Sequence, residues 1–191
     1  LAAGIALGSL ASATTGNAIA IGSNSVANAE FTVATGSGSK ATANEATAYG
    51  TESLATGTAS TAIGRSATAS GDFATAVGRG SEAVTNGTAT GTASAAAINA
   101  VANGLQAKAS NNGAISVGAY TNATGVNSTV VGLSGSAVGN ESTAIGAYAS
   151  ADNGGAALGS NAKATGLLAT AQGYDANASG TRSAATGAAS V

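Results

Sequence analysis

The sequence predicts an all-β protein, a parallel β-roll or solenoid of coils about fourteen residues long, running through residues 1–191 as a single repeat domain. Three observations predict it: a glycine that returns at a nearly constant interval, alanines held in phase with it, and a composition that cannot fill an ordinary globular core.

The glycines define the coil. Gly8, Gly22, Gly36, Gly50, Gly64, Gly78, Gly91, Gly104, Gly118, Gly132, Gly146, Gly159, Gly173 and Gly187 form fourteen anchors with thirteen intervals, ten of 14 residues and three of 13. The period holds from one end to the other, so no second domain is expected.

The alanines define the inside. Two residues before the anchor stands Ala in twelve of fourteen copies, Ser116 and Val130 being the exceptions. Five residues after it stands Ala in all thirteen copies that reach so far, from Ala13 to Ala178. The columns lie half a period apart, which predicts two short strands facing each other across small side chains. Three residues before the anchor the side chain is β-branched in twelve copies, and runs such as Ser60 to Gly64 alternate as a strand does. Seven residues after it come a second glycine (Gly57, Gly71, Gly125, Gly139, Gly166, Gly180) or Asn111 and Asn153, which predicts a corner with positive φ there.

Composition excludes several functions. The hydrophobic fraction of 44% is mostly Ala, only 7% of residues are charged, and the net charge is -2. Ordinary domains carry about 25% charged residues, and disordered chains usually carry much net charge. Without His or Cys the usual general base, thiol nucleophile and transition-metal ligands are missing. The eight carboxylates fall at differing phases, so neither an enzyme nor a cofactor is expected. Six scattered basic residues make no nucleic-acid groove. A calcium-binding nonapeptide roll needs Asp at every turn, and only Asp72, Asp152 and Asp175 are present. No run of about 18 apolar residues could span a bilayer, so direct membrane contact by this segment is not expected.

The charges show which faces meet water. Lys40, Glu82, Lys108 and Lys163 fall four residues after the anchor, and no charge falls on an anchor or in the four residues before one. The strand before the anchor therefore has an uncharged outer stripe. Its candidates for an interface are Ile5, Ile19, Val33, Ile63, Val77, Ile115, Val117, Val131 and Ile145. Cyclic self-association would bury such a stripe without leaving an open fibre. Arg65 and Arg79, one residue after their anchors, and Tyr120 and Tyr148, two after theirs, are candidate ligand contacts at the exposed bend.

Asn17, Ala18, Ile19, Ala20, Ile21 and Gly22, followed by Ser25, resemble the repeat of YadA-like head domains of trimeric autotransporter adhesins from Gram-negative bacteria. Ser60 to Gly64, Asn127 to Gly132 and Ser142 to Gly146 look like further copies. The resemblance implies a left-handed roll and a homotrimer. It further implies adhesion to a host extracellular matrix protein or cell-surface receptor, and a place on the bacterial surface, anchored in the outer membrane through parts lying outside residues 1–191. Departures at Thr35, Tyr49, Thr90, Asn103, Gln172 and Thr186 count against collagen as the ligand. A passive spacer or coat is the alternative. An ice-binding solenoid is a weaker one, since only Thr88 and Thr90 pair as a Thr-x-Thr step.

Overall fold

A computed structural model describes residues 4–191. It divides into two compact units, one ending at Ser94 and the other Ala95–Val191. Both are parallel β-solenoids, with about thirteen turns between them.

In the first unit, three-residue strands β1 (Ile5–Leu7), β3 (Ile19–Ile21), β5 (Val33–Thr35), β7 (Thr47–Tyr49), β9 (Thr61–Ile63), β11 (Thr75–Val77) and β13 (Thr88–Thr90) form one sheet. Two-residue strands β2 (Ser12–Ala13), β4 (Val26–Ala27), β6 (Lys40–Ala41), β8 (Leu54–Ala55), β10 (Thr68–Ala69) and β12 (Glu82–Ala83) form the other. The second unit repeats the plan. Its longer strands are β15 (Val101–Asn103), β17 (Ile115–Val117), β19 (Thr129–Val131), β21 (Thr143–Ile145), β23 (Ala156–Leu158), β25 (Thr170–Gln172) and β27 (Ala184–Thr186). Its shorter ones are β14 (Ala95–Ala96), β16 (Lys108–Ala109), β18 (Asn122–Ala123), β20 (Ser136–Ala137), β22 (Ser150–Ala151), β24 (Lys163–Ala164) and β26 (Asn177–Ala178).

Register follows the repeat. Ala62 lies between Ala48 and Ala76, and Ala69 between Ala55 and Ala83, so like residues stack on like through each sheet. Both predicted alanine columns point inward and are fully buried wherever the coil has neighbours on both sides, as at Ala20, Ala27, Ala62 and Ala69. Two more buried columns, four residues before the anchor and three after it, hold Ala, Ser, Thr and Gly. The core is one layer of small side chains.

Most of its hydroxyls are satisfied within their own coil, as buried polar groups usually are, while Ser60 Oγ and Ser183 Oγ make no hydrogen bond. Ser25 Oγ donates to the Gly22 carbonyl at 2.9 Å, and Ser39, Ser53, Ser81 and Ser94 treat their own anchors in the same way. On the other side, Thr32 Oγ1 donates to the Ala29 carbonyl and Ser142 Oγ to that of Gly139, both at 2.6 Å.

The two exceptions in the alanine column carry their own compensation. Ser116 Oγ donates to Thr121 Oγ1 at 2.8 Å, and Thr121 passes a hydrogen bond to the Gly118 carbonyl at 2.9 Å. Val130 is fully buried opposite Gly135, where a Cβ would stand 2.8 Å from Val130 Cγ1. Extra volume in one column is matched by absent volume in the other.

The corners differ from expectation. Gly57, Gly71, Gly125, Gly139, Gly166 and Gly180 do not have positive φ, and neither does Asn111, whose Nδ2 instead donates to the Thr124 carbonyl at 2.6 Å. Asn153 does, at φ 44°. At Gly57, Gly71, Gly125, Gly139 and Gly166 glycine is required by close approach, since a Cβ on Gly57 would overlap the Gly71 carbonyl of the next coil, whereas one on Gly180 would meet nothing nearer than 3.5 Å. Left-handed backbone occurs two and nine residues after the anchor, mostly at residues other than glycine, among them Leu10, Phe31, Glu45, Phe73, Tyr120 and Leu168. The anchor needs its glycine on both counts, since Gly22 has φ 130° and a Cβ there would stand 2.5 Å from the Gly36 carbonyl oxygen.

The shorter intervals lose their residue at one corner only. Thr75 pairs with Thr88 and Ala95 with Lys108, so the strands on either side keep register. The left-handed residue there is Asn86, Asn99 or Gly154, eight residues after the anchor instead of nine. Around Ala95, Ala96, Ala97 and Ile98 the change is confined to the bend, with β14 intact and Ile98 48% exposed.

Candidate functional site

With the interior closed by methyl groups and hydroxyls, chemistry toward a partner is left to the outer surfaces. Among the described residues no group of three or more His, Cys, Asp or Glu side chains gathers to hold a metal ion. The charged residues are all exposed except Asp152, which is half-buried.

The outer face of the longer strands carries two columns, three residues and one residue before the anchor. All nine stripe residues lie in these columns. Ile5, Ile19, Val33 and Ile115 occupy the first, and Ile63, Val77, Val117, Val131 and Ile145 the second. Parallel pairing places Ile19 beside Val33 and Ile63 beside Val77 in one unit, and Val117 beside Val131 beside Ile145 in the other. Ile19, Val33, Val77 and Val117 are half-buried, while Ile63, Ile115, Val131 and Ile145 stand about two-fifths exposed. Ile5, on the first described strand, is 56% exposed. Not one of these side chains enters the core, so each unit presents a stripe of uncharged, largely β-branched side chains to its surroundings.

The proposed contact residues lie on one corner of the coil, the bend just after the anchor. Arg65 and Arg79 occupy equivalent positions in successive coils, with the Gly80 N–H donating to the Arg65 carbonyl at 2.9 Å. Tyr120 and Tyr148 are both left-handed, with φ 59° and 58°. They are two coils apart in the second unit, whereas the arginine pair belongs to the first. The structure therefore brings together arginine with arginine and joins the tyrosines into a row, without assembling the four into one patch of either unit.

That row contains residues the sequence reading passed over. Leu105 occupies the coil before Tyr120 and Leu133 the coil between the two tyrosines, and their carbonyls accept the N–H groups of Tyr120 and Tyr148 at 2.8 Å. Leu105, Tyr120, Leu133 and Tyr148 are between 40% and 57% exposed. Phe31 (55%) and Phe73 (65%), on the opposite bend of the first unit, were missed as well. Phase was the available signal, because each of these residues recurs one, two or nine residues after an anchor.

The hexamer ending at Gly22 now has a physical reading. Asn17 takes the left-handed corner at φ 59°, Ile19 and Ile21 point outward, Ala20 is fully buried, Gly22 permits the next coil to approach, and Ser25 closes the following bend. The profile of the YadA head domain repeat matches residues 3–25, 27–53, 55–81, 95–121, 123–149 and 164–190. The chain belongs to the YadA head domain family. Each matched stretch covers nearly two coils, so the YadA head repeat and the coil seen here are in phase. No curated protein matches the chain. The YadA head family is an adhesin domain family, which suggests adhesin-type work for this chain.

Proposed function

We propose that this chain is the head of a bacterial cell-surface adhesin. It attaches to host cells or extracellular matrix proteins through many shallow contacts, and residues 1–191 serve as one repeat domain. The observation that carries the reading is the uncharged outer stripe of the longer strands in a chain of the YadA head family. Three copies meeting along that stripe remove it from water and leave the bends and the shorter-strand face outward. Contacts repeated on three chains then add as avidity. Arg65, Arg79, Tyr120 and Tyr148 are the contact residues we favour at the bends, and the polypeptide is held to the outer membrane through segments beyond residues 1–191.

Purified chain should bind cultured epithelial cells or immobilised fibronectin and laminin saturably. Replacing those four residues with Ala should lower retention at least about tenfold if they act as interface anchors worth over 1 kcal/mol each. Attachment no higher than that of an unrelated solenoid would instead make the chain a passive spacer.

A further inference from the structure

An open groove of about 460 Å³ on the second unit is lined by Gln106, Lys108, Ser110, Tyr120, Thr121 and Asn122. It lies on the shorter-strand face and the adjoining bend, away from the apolar stripe, so assembly through that stripe leaves it open. Two neighbouring coils build its floor. Lys108 and Asn122 are register partners on β16 and β18, the Lys108 N–H donates to the Thr121 carbonyl at 2.9 Å, and the Ser110 N–H donates to the Ala123 carbonyl at 2.9 Å. The rim is fixed too, since Gln106 and Tyr120 sit in left-handed backbone and the Tyr120 N–H is held by the Leu105 carbonyl. A site made from ladder backbone is formed before any ligand arrives.

Its chemistry is specific. Thr121 is buried and its hydroxyl is committed to Ser116 and Gly118, so it belongs to the floor. The Gln106 and Asn122 amides, the Ser110 and Tyr120 hydroxyls and the Lys108 ammonium make no side-chain hydrogen bond within the described chain. Lys108 is the only charged residue from Ala95 to Asn140. A cation without a neighbouring carboxylate attracts an anion in the partner. The half-exposed ring of Tyr120 offers an apolar face on the adjoining bend, and the Gln106 and Asn122 amides offer donors and acceptors around it. An acidic peptide would use the ammonium but has no ring of axial C–H groups to lay on the tyrosine; a neutral sugar would use the tyrosine and amides but not the ammonium.

We infer that this groove binds a carboxylate-bearing saccharide, with the carboxylate on Lys108, the sugar ring on Tyr120, and hydroxyl groups on Gln106 and Asn122. The inference rests on the adhesin reading and assigns it one class of ligand.

The test is saturation-transfer NMR of the 191-residue chain with four probes: 3′-sialyllactose, a hyaluronan tetrasaccharide, lactose and hexaglutamate. One or both acidic saccharides should show saturable transfer, which one identifying the source of the carboxylate, and lactose and hexaglutamate should show none. Lys108→Gln should weaken that binding about tenfold, the size of one charge-assisted contact. Tyr120→Asn, a residue that tolerates left-handed backbone, should abolish transfer to the sugar-ring protons without changing the circular dichroism. Lactose binding as well as the acidic saccharides, hexaglutamate binding in their place, no binding by either acidic saccharide, or binding unchanged in Lys108→Gln would each overturn the assignment. Cell attachment by the same preparation, if it persists when the saccharides fail, separates loss of this site from loss of the adhesin reading.

Discussion

Phe31 and Phe73 both sit at φ 57°, a conformation costing an L-residue with a Cβ about 1–2 kcal/mol. What holds Phe73 there is visible in the neighbouring coil: its N–H donates to the Thr58 carbonyl at 2.8 Å, as Glu45 does to Glu30 at 2.9 Å and Tyr120 to Leu105 at 2.8 Å. The left-handed residue turns its N–H toward the coil before it, and the ladder fixes the corner whatever the side chain. This is why the corners were not legible in the sequence. Positive φ is normally read from Gly and Asn, and here Phe, Leu, Glu and Tyr adopt it while most of the conspicuous corner glycines serve close approach. The inward alanines were legible because a one-layer core admits nothing larger without local compensation, and Val130 with Gly135 is that case. Gly135→Ser should overpack the layer and cost about 1–3 kcal/mol. Val130→Ala in the same chain should recover most of it, so a double-mutant cycle by thermal melting should give a coupling above about 0.5 kcal/mol. Additive effects would mean that the two columns do not share space.

The coil is the element that carries stability, because each strand bonds only to its counterparts in the coils before and after. Stability in such a stack is near to a sum over neighbours. Deleting residues 51–64 removes one anchor-to-anchor coil and leaves Gly50 leading into Arg65, which preserves every column. That variant should fold, with a melting temperature lowered by only a few degrees. Deleting residues 51–57 removes half a period, sets a longer strand where a shorter one belongs and should abolish cooperative melting. Equal melting of the two variants would show that the coil is not the unit. Length of interval was readable from the glycines alone, but the place where a 13-residue coil gives up its residue was not. Only the surviving register of Thr75 with Thr88 and of Ala95 with Lys108 shows that the strands are spared and the bend absorbs the loss.

For the molecule as a whole, the division of its surface decides its behaviour in solution. Charges gather on the bends and the shorter-strand face, and none stands in the two outer columns of the longer strands. The stripe was legible because it needs only phase. The groove at Lys108 was not, because it arises from residues of two coils at four different phases that sequence alone does not group. Under the trimeric assembly proposed above, Ile63→Asp together with Val77→Asp sets three pairs of carboxylates against one another with no counter-ion. Light scattering after gel filtration should then report one chain instead of three, with circular dichroism unchanged because neither side chain enters the core. A mass that stays at three chains would place the interface elsewhere, and a wild-type monomer would remove the trimer altogether.

The glycine column also bears on heredity. Because every coil meets its neighbours through the same backbone contacts, with Gly22 against Gly36 and Gly36 against Gly50, the junctions are interchangeable in kind. A recombination event that joins the start of one coil to the end of another, in frame and in phase, yields a chain whose backbone still stacks. A lineage carrying such a gene can lengthen, shorten or shuffle its outer surface without inventing a new way to fold, while the bends are free to diverge.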